Sequence, residues 1–202
     1  MPKIVDKESK RREIAQKAME LFARDGFANT PVRKITDHAG IGKGTLYEYF
    51  TDKNDILNEI VRIMFTEWTD VMVSKIGTSH DSLEQLEVLL REGSLLGDQF
   101  QQMMIIYMDI WRLSVSDKAS DEFIGAFRSF LLESKQGVAA IIENAQVQGK
   151  VRKDIDPGGL AAVFIALIDG MCLHRMILKK EFDVPSACNT FFTSLLQGIE
   201  EQ

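Results

Sequence analysis

The sequence predicts an all-α protein of about nine helices, and three observations predict it. Apolar residues recur at three- and four-residue spacing in one window after another. Only four prolines interrupt 202 residues, and runs of β-branched residues are few. Residues suited to helix caps stand at the breaks between the windows.

The first helix is expected over about Lys7 to Asp25, where Ile14, Ala18, Leu21 and Phe22 form one stripe and Gly26 follows as C-cap. The second runs from Pro31 to about Ala39, with Thr30 as N-cap and Val32, Ile35 and Ala39 inward. Gly40-Ile41-Gly42 makes a turn, and a third helix covers Lys43 to Phe50 with Leu46 and Phe50 inward. A fourth opens near Asp52 and reaches about Lys75, its long stripe made by Ile56, Leu57, Ile60, Met64, Trp68 and Val71. Three more follow near 82–92, 94–115 and 120–148, the first opened by "SLEQ" as a capping box at Ser82. Asp156 and Pro157 then start a helix that is apolar on nearly every side and extends to about residue 180. The last, about Pro185 to Gln197, carries Phe191, Phe192, Leu195 and Leu196. A short strand at "GKVRKDI" is the alternative to a loop there.

The stretch "AGIGKGTLYEYFTDKNDIL" asks for a chemical reading. A phosphate-binding P-loop needs Gly, four residues, then Gly-Lys-Ser/Thr. With its lysine on Lys43, Asp37 stands where the first glycine belongs and Gly44 where the hydroxyl belongs. A G-x-G-x-x-G dinucleotide loop fails at Thr45, and neither loop has its preceding strand. Two short helices joined by a glycine turn form instead a helix-turn-helix, whose second helix enters the DNA major groove by its N-terminus. There Lys43 suits guanine O6 or N7, and Gly44 allows close approach to the groove floor. Thr45, Tyr47 and Tyr49 suit phosphate oxygens, Lys53 adds a backbone charge, and Arg33 can reach a base edge. Glu48 fits cytosine N4 or lies off the DNA.

Charge divides the same way. Residues 1–53 hold 11 Lys/Arg against 8 Asp/Glu, a local charge of +3, while the rest holds 13 against 22, a charge of −9 within the net −6. A basic head on an acidic body suits nucleic-acid binding by the head alone. The expected domains are therefore 1–53, a DNA-binding helix-turn-helix, and 54–202, a body. Cys172 and Cys188 fit no C-x-x-C pattern and read as reduced core thiols. No metal-ligand spacing, nucleophile–base pair or cofactor motif is visible, so neither an enzyme nor a cofactor is expected. The N-terminus lacks the apolar core of a signal peptide, and no apolar run reaches the ~18 residues of a membrane span. A cytoplasmic protein without membrane contact is the expectation.

The segment "FARDGFANTPVRKITDHAGIGKGTLYEYFTDKNDIL" resembles the signature of the tetracycline-repressor (TetR) family of bacterial transcription regulators. The resemblance rests on Gly26-Phe27, Thr30, Ala39-Gly40-Ile41, Gly44-Thr45-Leu46-Tyr47, Phe50 and Lys53, and covers about the first 57 residues. Two positions depart from the family pattern: Thr36 replaces the usual Ala, and Gly42 the usual Ser, which removes a hydroxyl cap. The resemblance implies a homodimer that binds double-stranded DNA at a palindromic operator. It also implies a body that binds a small-molecule effector and relays that binding to the heads. Thr30 enters the expected DNA-binding set on this ground.

The body's residues support the implication. Met64, Trp68, Met103, Met104, Tyr107, Met108, Trp111, Phe123, Phe127 and Phe130 form a Met-rich aromatic set suited to an adaptable apolar cavity, with His174 as a further candidate contact. The same stripe would also serve as ordinary core. Phe164, Gly170, Met171, Phe191, Phe192 and Leu195 are expected at a four-helix dimer interface, which Gly170 and the Ala161-Ala162 pair would let close. Asp169 is expected to bond within it. The long helix from Asp52 is the expected relay. The alternatives are a constitutive DNA-binding protein without a ligand and an α-helical enzyme; the first would not need so apolar a body, and the second would need converging polar groups.

Overall fold

The computed structural model describes residues 6–77, 79–95, 98–115 and 121–199; the side chains of 98–103, 121–124 and 126 lie outside that description, and with them the expected pocket residues Met103 and Phe123. Nine α-helices are found among the described residues: α1 (Lys7–Asp25), α2 (Val32–Ala39), α3 (Lys43–Tyr49), α4 (Lys53–Ile76), α5 (Ser82–Ser94), α6 (Asp98–Ser114), α7 (Asp121–Val147), α8 (Pro157–Leu178) and α9 (Val184–Ile199). A 3-10 turn, Lys179–Glu181, follows α8. The segment "GKVRKDI" forms turns, with Gly149 at φ 69° and no strand among the described residues.

The chain divides into two compact units. The first takes residues 1–67 and 98–128, and so adds α6 to the first three helices and to the start of α4. Its head is built on Ile14, Ala18, Leu21 and Phe22 of α1, which bury against Ile35, Leu46, Phe50 and the first turns of α4. Phe22 and Phe27 meet edge to face with centroids 5.1 Å apart. Gly26 ends α1 at φ 80°, a left-handed conformation that side chains rarely adopt, and its N–H donates to Phe22 O at 2.9 Å.

The second unit takes residues 68–97 and 129–202. Its core lies where α5 meets α8 and α9. Leu86, Leu89 and Leu90 of α5 are buried there with Phe164, Ile168, Met171 and Cys172 of α8 and Cys188 and Phe192 of α9. Gly93 permits the approach of α5 to α8: a Cβ on it would stand 3.2 Å from Ile168 Cγ2. Both cysteines are free and buried, and burial foremost pushes the Cys172 thiol up to about 12.

Caps explain where the helices start. Asp156 accepts from the Gly158 and Gly159 N–H groups at the head of α8, with Pro157 in the first turn, as the sequence indicates. At α5 the cap is Asp81 and not Ser82: its carboxylate accepts from Leu83 N at 2.9 Å, and Lys150 pairs with it at 2.5 Å. A carboxylate satisfies the free N–H groups and the helix dipole together, which a serine hydroxyl does not. At α2 the residue in the cap position is Pro31, without a side-chain bond, while Thr30 turns back to give its hydroxyl proton to Gly26 O at 2.9 Å.

By length and composition the segment Pro157–Glu181 could cross a bilayer, contrary to the sequence expectation that no run is long enough, and only 28% of its most apolar 18-residue window is buried here. Its apolar character serves two faces. Phe164, Ile168, Met171 and Cys172 enter the protomer core, while Val163 is 58% exposed and Ile177 75% exposed.

The close contact at Gly93 yields a stability prediction. Gly93→Val should lower the urea midpoint, with a cost of ~1–3 kcal/mol from overpacking against Ile168. Gly137→Ala on α7, where a Cβ meets nothing within 4 Å, should be neutral or stabilising. Equal midpoints for Gly93→Val and wild type would show that α5 and α8 part without cost.

Candidate nucleic-acid interface and effector region

α2 and α3 are joined by a turn whose geometry the glycines set. Gly40 adopts φ 65°, ψ 33°, and Ile41 N donates to Thr36 O at 3.1 Å, closing α2 with a Schellman-type bond. Gly42 opens α3 without a side-chain cap. Thr36, where the family pattern has Ala, is buried and gives its hydroxyl proton to Arg33 O at 2.8 Å, so the extra hydroxyl is satisfied inside α2.

α3 buries Leu46 and turns the rest of its first two turns outward. Lys43, Gly44, Tyr47 and Glu48 are exposed, Thr45 and Tyr49 are half-buried, and a Cβ on Gly44 would meet nothing within 4 Å. The Lys43 ammonium lies 5.9 Å from the Tyr47 ring centroid. It has no carboxylate partner among the described residues. Arg33 on α2 is 91% exposed at its side chain and only 3.9 Å from Asp37 at closest. Most other head cations are engaged: Arg12 by Glu67, Lys17 by Glu20, Arg24 and Lys34 by Asp25, and Lys10 by Glu13. On α2 and α3, then, the cations left for an anion are Arg33 and Lys43; Lys7 at the start of α1 is also exposed.

Two expected DNA contacts point inward. Thr30 is fully buried, its hydroxyl held by Gly26 O. Lys53, half-buried, donates to Phe27 O at 2.7 Å and to Thr30 O at 3.1 Å and lies 4.3 Å over the Phe27 ring. Desolvation pushes its pKa down, and the charge of Asp109 opposes that shift. An ammonium has three protons, and two of these are fixed on carbonyls. Thr30 and Lys53 thus shape the α1–α2 turn from within.

Arg11 holds α3 from behind. Its guanidinium donates to Tyr49 O at the end of α3, to Asp55 Oδ1 at 2.6 Å and to Glu59 Oε2 at 3.0 Å on α4, and lies 4.2 Å over the Phe50 ring. Nothing in the one-dimensional pattern marks Arg11 apart from the neighbouring Arg12. Burial would lower the Arg11 pKa, and its two carboxylates more than reverse that. For Asp55, burial raises the pKa, but Arg11 and the Thr51 N–H at 2.9 Å together hold the carboxyl below its ordinary value.

The expected effector residues divide between the units. In the first, Met64, Met104, Tyr107 and Phe127 are buried. Phe127 stacks on Phe65 at 6.0 Å and meets Tyr107 and Trp111 edge to face at 5.8 and 5.4 Å. Met108, 43% exposed, points away from Met104 and Tyr107 along with Ile105, because α6 is apolar on two faces. In the second unit Trp68 and Phe130 meet at 5.8 Å. His174 is exposed and sits edge to face on Phe182 at 5.6 Å. Among the described residues no three His, Cys, Asp or Glu side chains gather as metal ligands would.

Of the expected interface residues, Phe164, Met171 and Phe192 are buried in the protomer's own core. Phe191, Leu195 and Gly170 are half-buried, and a Cβ on Gly170 would meet nothing within 4 Å. Val163, Ala166, Gly170, His174 and Ile177 fall at three- and four-residue steps and make one outward stripe on α8. Val163 and Ile177 were legible from that register once the inward face was fixed by Phe164.

Comparison with known proteins agrees with this geometry. Residues 14–60, α1 to the start of α4, match the model of the bacterial regulatory proteins of the tetR family. That segment is similar to the DNA-binding head of the family, and the proteins the chain resembles over most of its length are transcriptional regulators. It is 29% identical over 154 residues to the HTH-type transcriptional repressor KstR2 of Rhodococcus jostii, covering 74% of this chain and 72% of that one. A transcriptional regulator from Saccharomonospora viridis, solved with choline, is 26% identical with a TM-score of 0.77, over 96% of this chain and 100% of its own. FadR of Bacillus subtilis, solved with stearoyl-CoA, shares the fold at 21% identity with a TM-score of 0.75, over 93% and 98% of the two chains.

The Arg11–Asp55 pair sets an acid limit on the head. A carboxyl with a depressed folded pKa stabilises the fold above its unfolded value, about 3.9, and loses that contribution as pH falls through the folded value. Glu20, Asp25 and Asp81 are also held low, chiefly by His38, Arg24 and Lys150 respectively. Thermal unfolding of wild type should therefore fall steeply below about pH 4. Asp55→Asn should be less stable at pH 7 and show a shallower acid decline. Parallel curves for the two proteins would place the pH dependence elsewhere.

Proposed function

We propose that the protein is a ligand-responsive transcriptional repressor that binds a palindromic operator as a homodimer in the cytoplasm and is released by a small amphipathic effector. The carrying observation is the state of α2 and α3. Within a head whose cations are mostly paired with carboxylates, Arg33 and Lys43 are left facing outward at the start of α2 and α3. That is where a helix-turn-helix meets base edges and phosphates. Thr45, Tyr47 and Tyr49 complete the proposed contact surface, and Gly44 keeps it clear of side chain.

A second copy fits α8. An apolar helix with an outward stripe of Val163, Ala166, Gly170 and Ile177 leaves more apolar surface than a protomer covers. Small residues at its middle allow a partner helix to approach. A monomeric head makes too few contacts for specific recognition, so a two-fold pair on two half-sites also answers the energetics. The protein then has no catalytic role and needs no membrane for α8.

The effector region is drawn from Met64, Met104, Tyr107, Trp111 and Phe127 in the first unit. Aromatic rings with methionine accept either an onium group or an acyl chain. Choline and stearoyl-CoA, held by two of the relatives, are the first probes. A constitutive DNA-binding protein would bind DNA identically with and without them.

The test is binding to the duplex flanking the protein's own gene, as a function of salt and probe. Lys43→Ala should weaken specific binding by ~1–3 kcal/mol and relax preference at one base pair per half-site. Gly170→Glu, which meets no obstacle in the protomer, should give folded monomers by sedimentation and abolish tight binding. A folded Lys43→Ala with wild-type affinity would remove α3 from the groove. An unchanged dimer in Gly170→Glu would move the interface off α8.

A further inference from the structure

The turn between α1 and α2 is gripped from two directions within the first unit. Asp109 of α6 accepts from the Phe27 N–H through Oδ2 at 2.9 Å, across 82 residues of sequence. Lys53 of α4 donates to the Phe27 and Thr30 carbonyls. Thr30 in turn closes the turn on Gly26 O. The same Asp109 oxygen would lie 3.8 Å from a Cβ on Gly26, an ordinary contact, so what calls for glycine there is its φ of +80°. On α6, Asp109 stands between Tyr107 and Trp111, both in edge-to-face contact with Phe127. Arg112 approaches its other oxygen at 3.4 Å.

These groups do different work. A backbone N–H at a helix end can bond to water, so nothing in the turn itself demands a carboxylate from a distant helix. Charge-assisted bonds to backbone are stronger than neutral ones, and Asp109 faces the Lys53 ammonium that holds the carbonyls of the same turn. The turn's donor answers to α6 and its acceptors answer to α4. The start of α2, which carries Arg33, follows that turn directly.

We propose that Asp109 is a positioning residue that ties the DNA-facing helix pair to the aromatic cluster of α6, so that a displacement of α6 at Tyr107 and Trp111 is transmitted to α2 through the Phe27 amide. This route adds to the α4 relay expected from sequence and is separate from it. A ligand shifts the head by it only to the extent that the two positions of α6 differ in ligand affinity.

The experiment needs neither DNA nor effector, so its failure and the failure of the repressor reading are distinguishable. Amide exchange at Phe27 is followed by NMR in the full chain. Asp109→Ala should speed it at least about tenfold while amides of the α1 core keep their protection. Asp109→Asn, which keeps an acceptor and loses the charge facing Lys53, should fall between. Trp111→Ala then perturbs α6 at its aromatic contacts with Tyr107 and Phe127, without touching the turn. It should speed Phe27 exchange in the wild-type background and add nothing in the Asp109→Ala background. Wild-type exchange in Asp109→Ala, no effect of Trp111→Ala, or the same factor from Trp111→Ala in both backgrounds would each overturn the proposal.

Discussion

The guanidinium of Arg11 is the contact on which the rest of the head depends. α3 is seven residues long, too short to hold itself in water, and its inward face is little more than Leu46. What fixes it is a single side chain from α1 that binds its last carbonyl at Tyr49, the two carboxylates of α4 and the face of Phe50. Three helices meet at one planar, permanently charged group whose fork of donors suits several acceptors at once. A lysine there could carry the charge but not the geometry. Because α3 is held from behind, its front can stay uncovered.

The same logic decides which cations are available. The head's +3 charge suggests a diffuse basic surface, but its charges are largely absorbed by neighbouring carboxylates or, in Lys53, by carbonyls. On the two helices of the helix-turn-helix, the cations left facing solvent are Arg33 and Lys43. Lys53 illustrates the principle. Burying an ammonium costs free energy unless it is hydrogen-bonded, and two carbonyls and an aromatic face supply what water would. The residue orders the turn before α2.

The helices, the glycine turn and the two-helix reader were legible because they rest on local rules. Period 3.6 stripes, Asp156-Pro157 and the left-handed Gly26 and Gly40 state their conformations in sequence. Outward-facing residues were legible where solvent decides, as at Lys43, Gly44 and Arg33. They were not legible where a distant partner decides. Thr30 looks like a cap until Gly26 O claims its hydroxyl, and Lys53 looks like a surface charge until two carbonyls do. Ser82 looks like a capping box until Asp81 outcompetes it. Asp109 and Arg11 gave no signal, since their importance lies in contacts across 82 and across 38 to 48 residues. The exposure of Met108 was hidden for another reason: α6 is apolar on two faces, so composition could not say which face points in.

α8 carries apolar residues on two faces, one inside the core and one facing outward. Its inward residues mix Phe164, Ile168 and Met171 with the smaller Ala161 and Cys172, and Gly93 on α5 yields space to Ile168 so that they pack closely. Its outward stripe is small at Ala166 and Gly170, and larger at Val163 before them and at His174 and Ile177 after them. A lipid-facing helix gains nothing from a shallow centre, because acyl chains follow any contour. A partner helix does, since two such surfaces crossing at their small residues bring the flanking Val and Ile side chains into contact. If both copies use this stripe, one two-fold axis relates the stripes and the paired Arg33–Lys43 edges alike. That demand, a symmetric body for a symmetric site on DNA, links the most apolar helix of the chain to its most exposed cations.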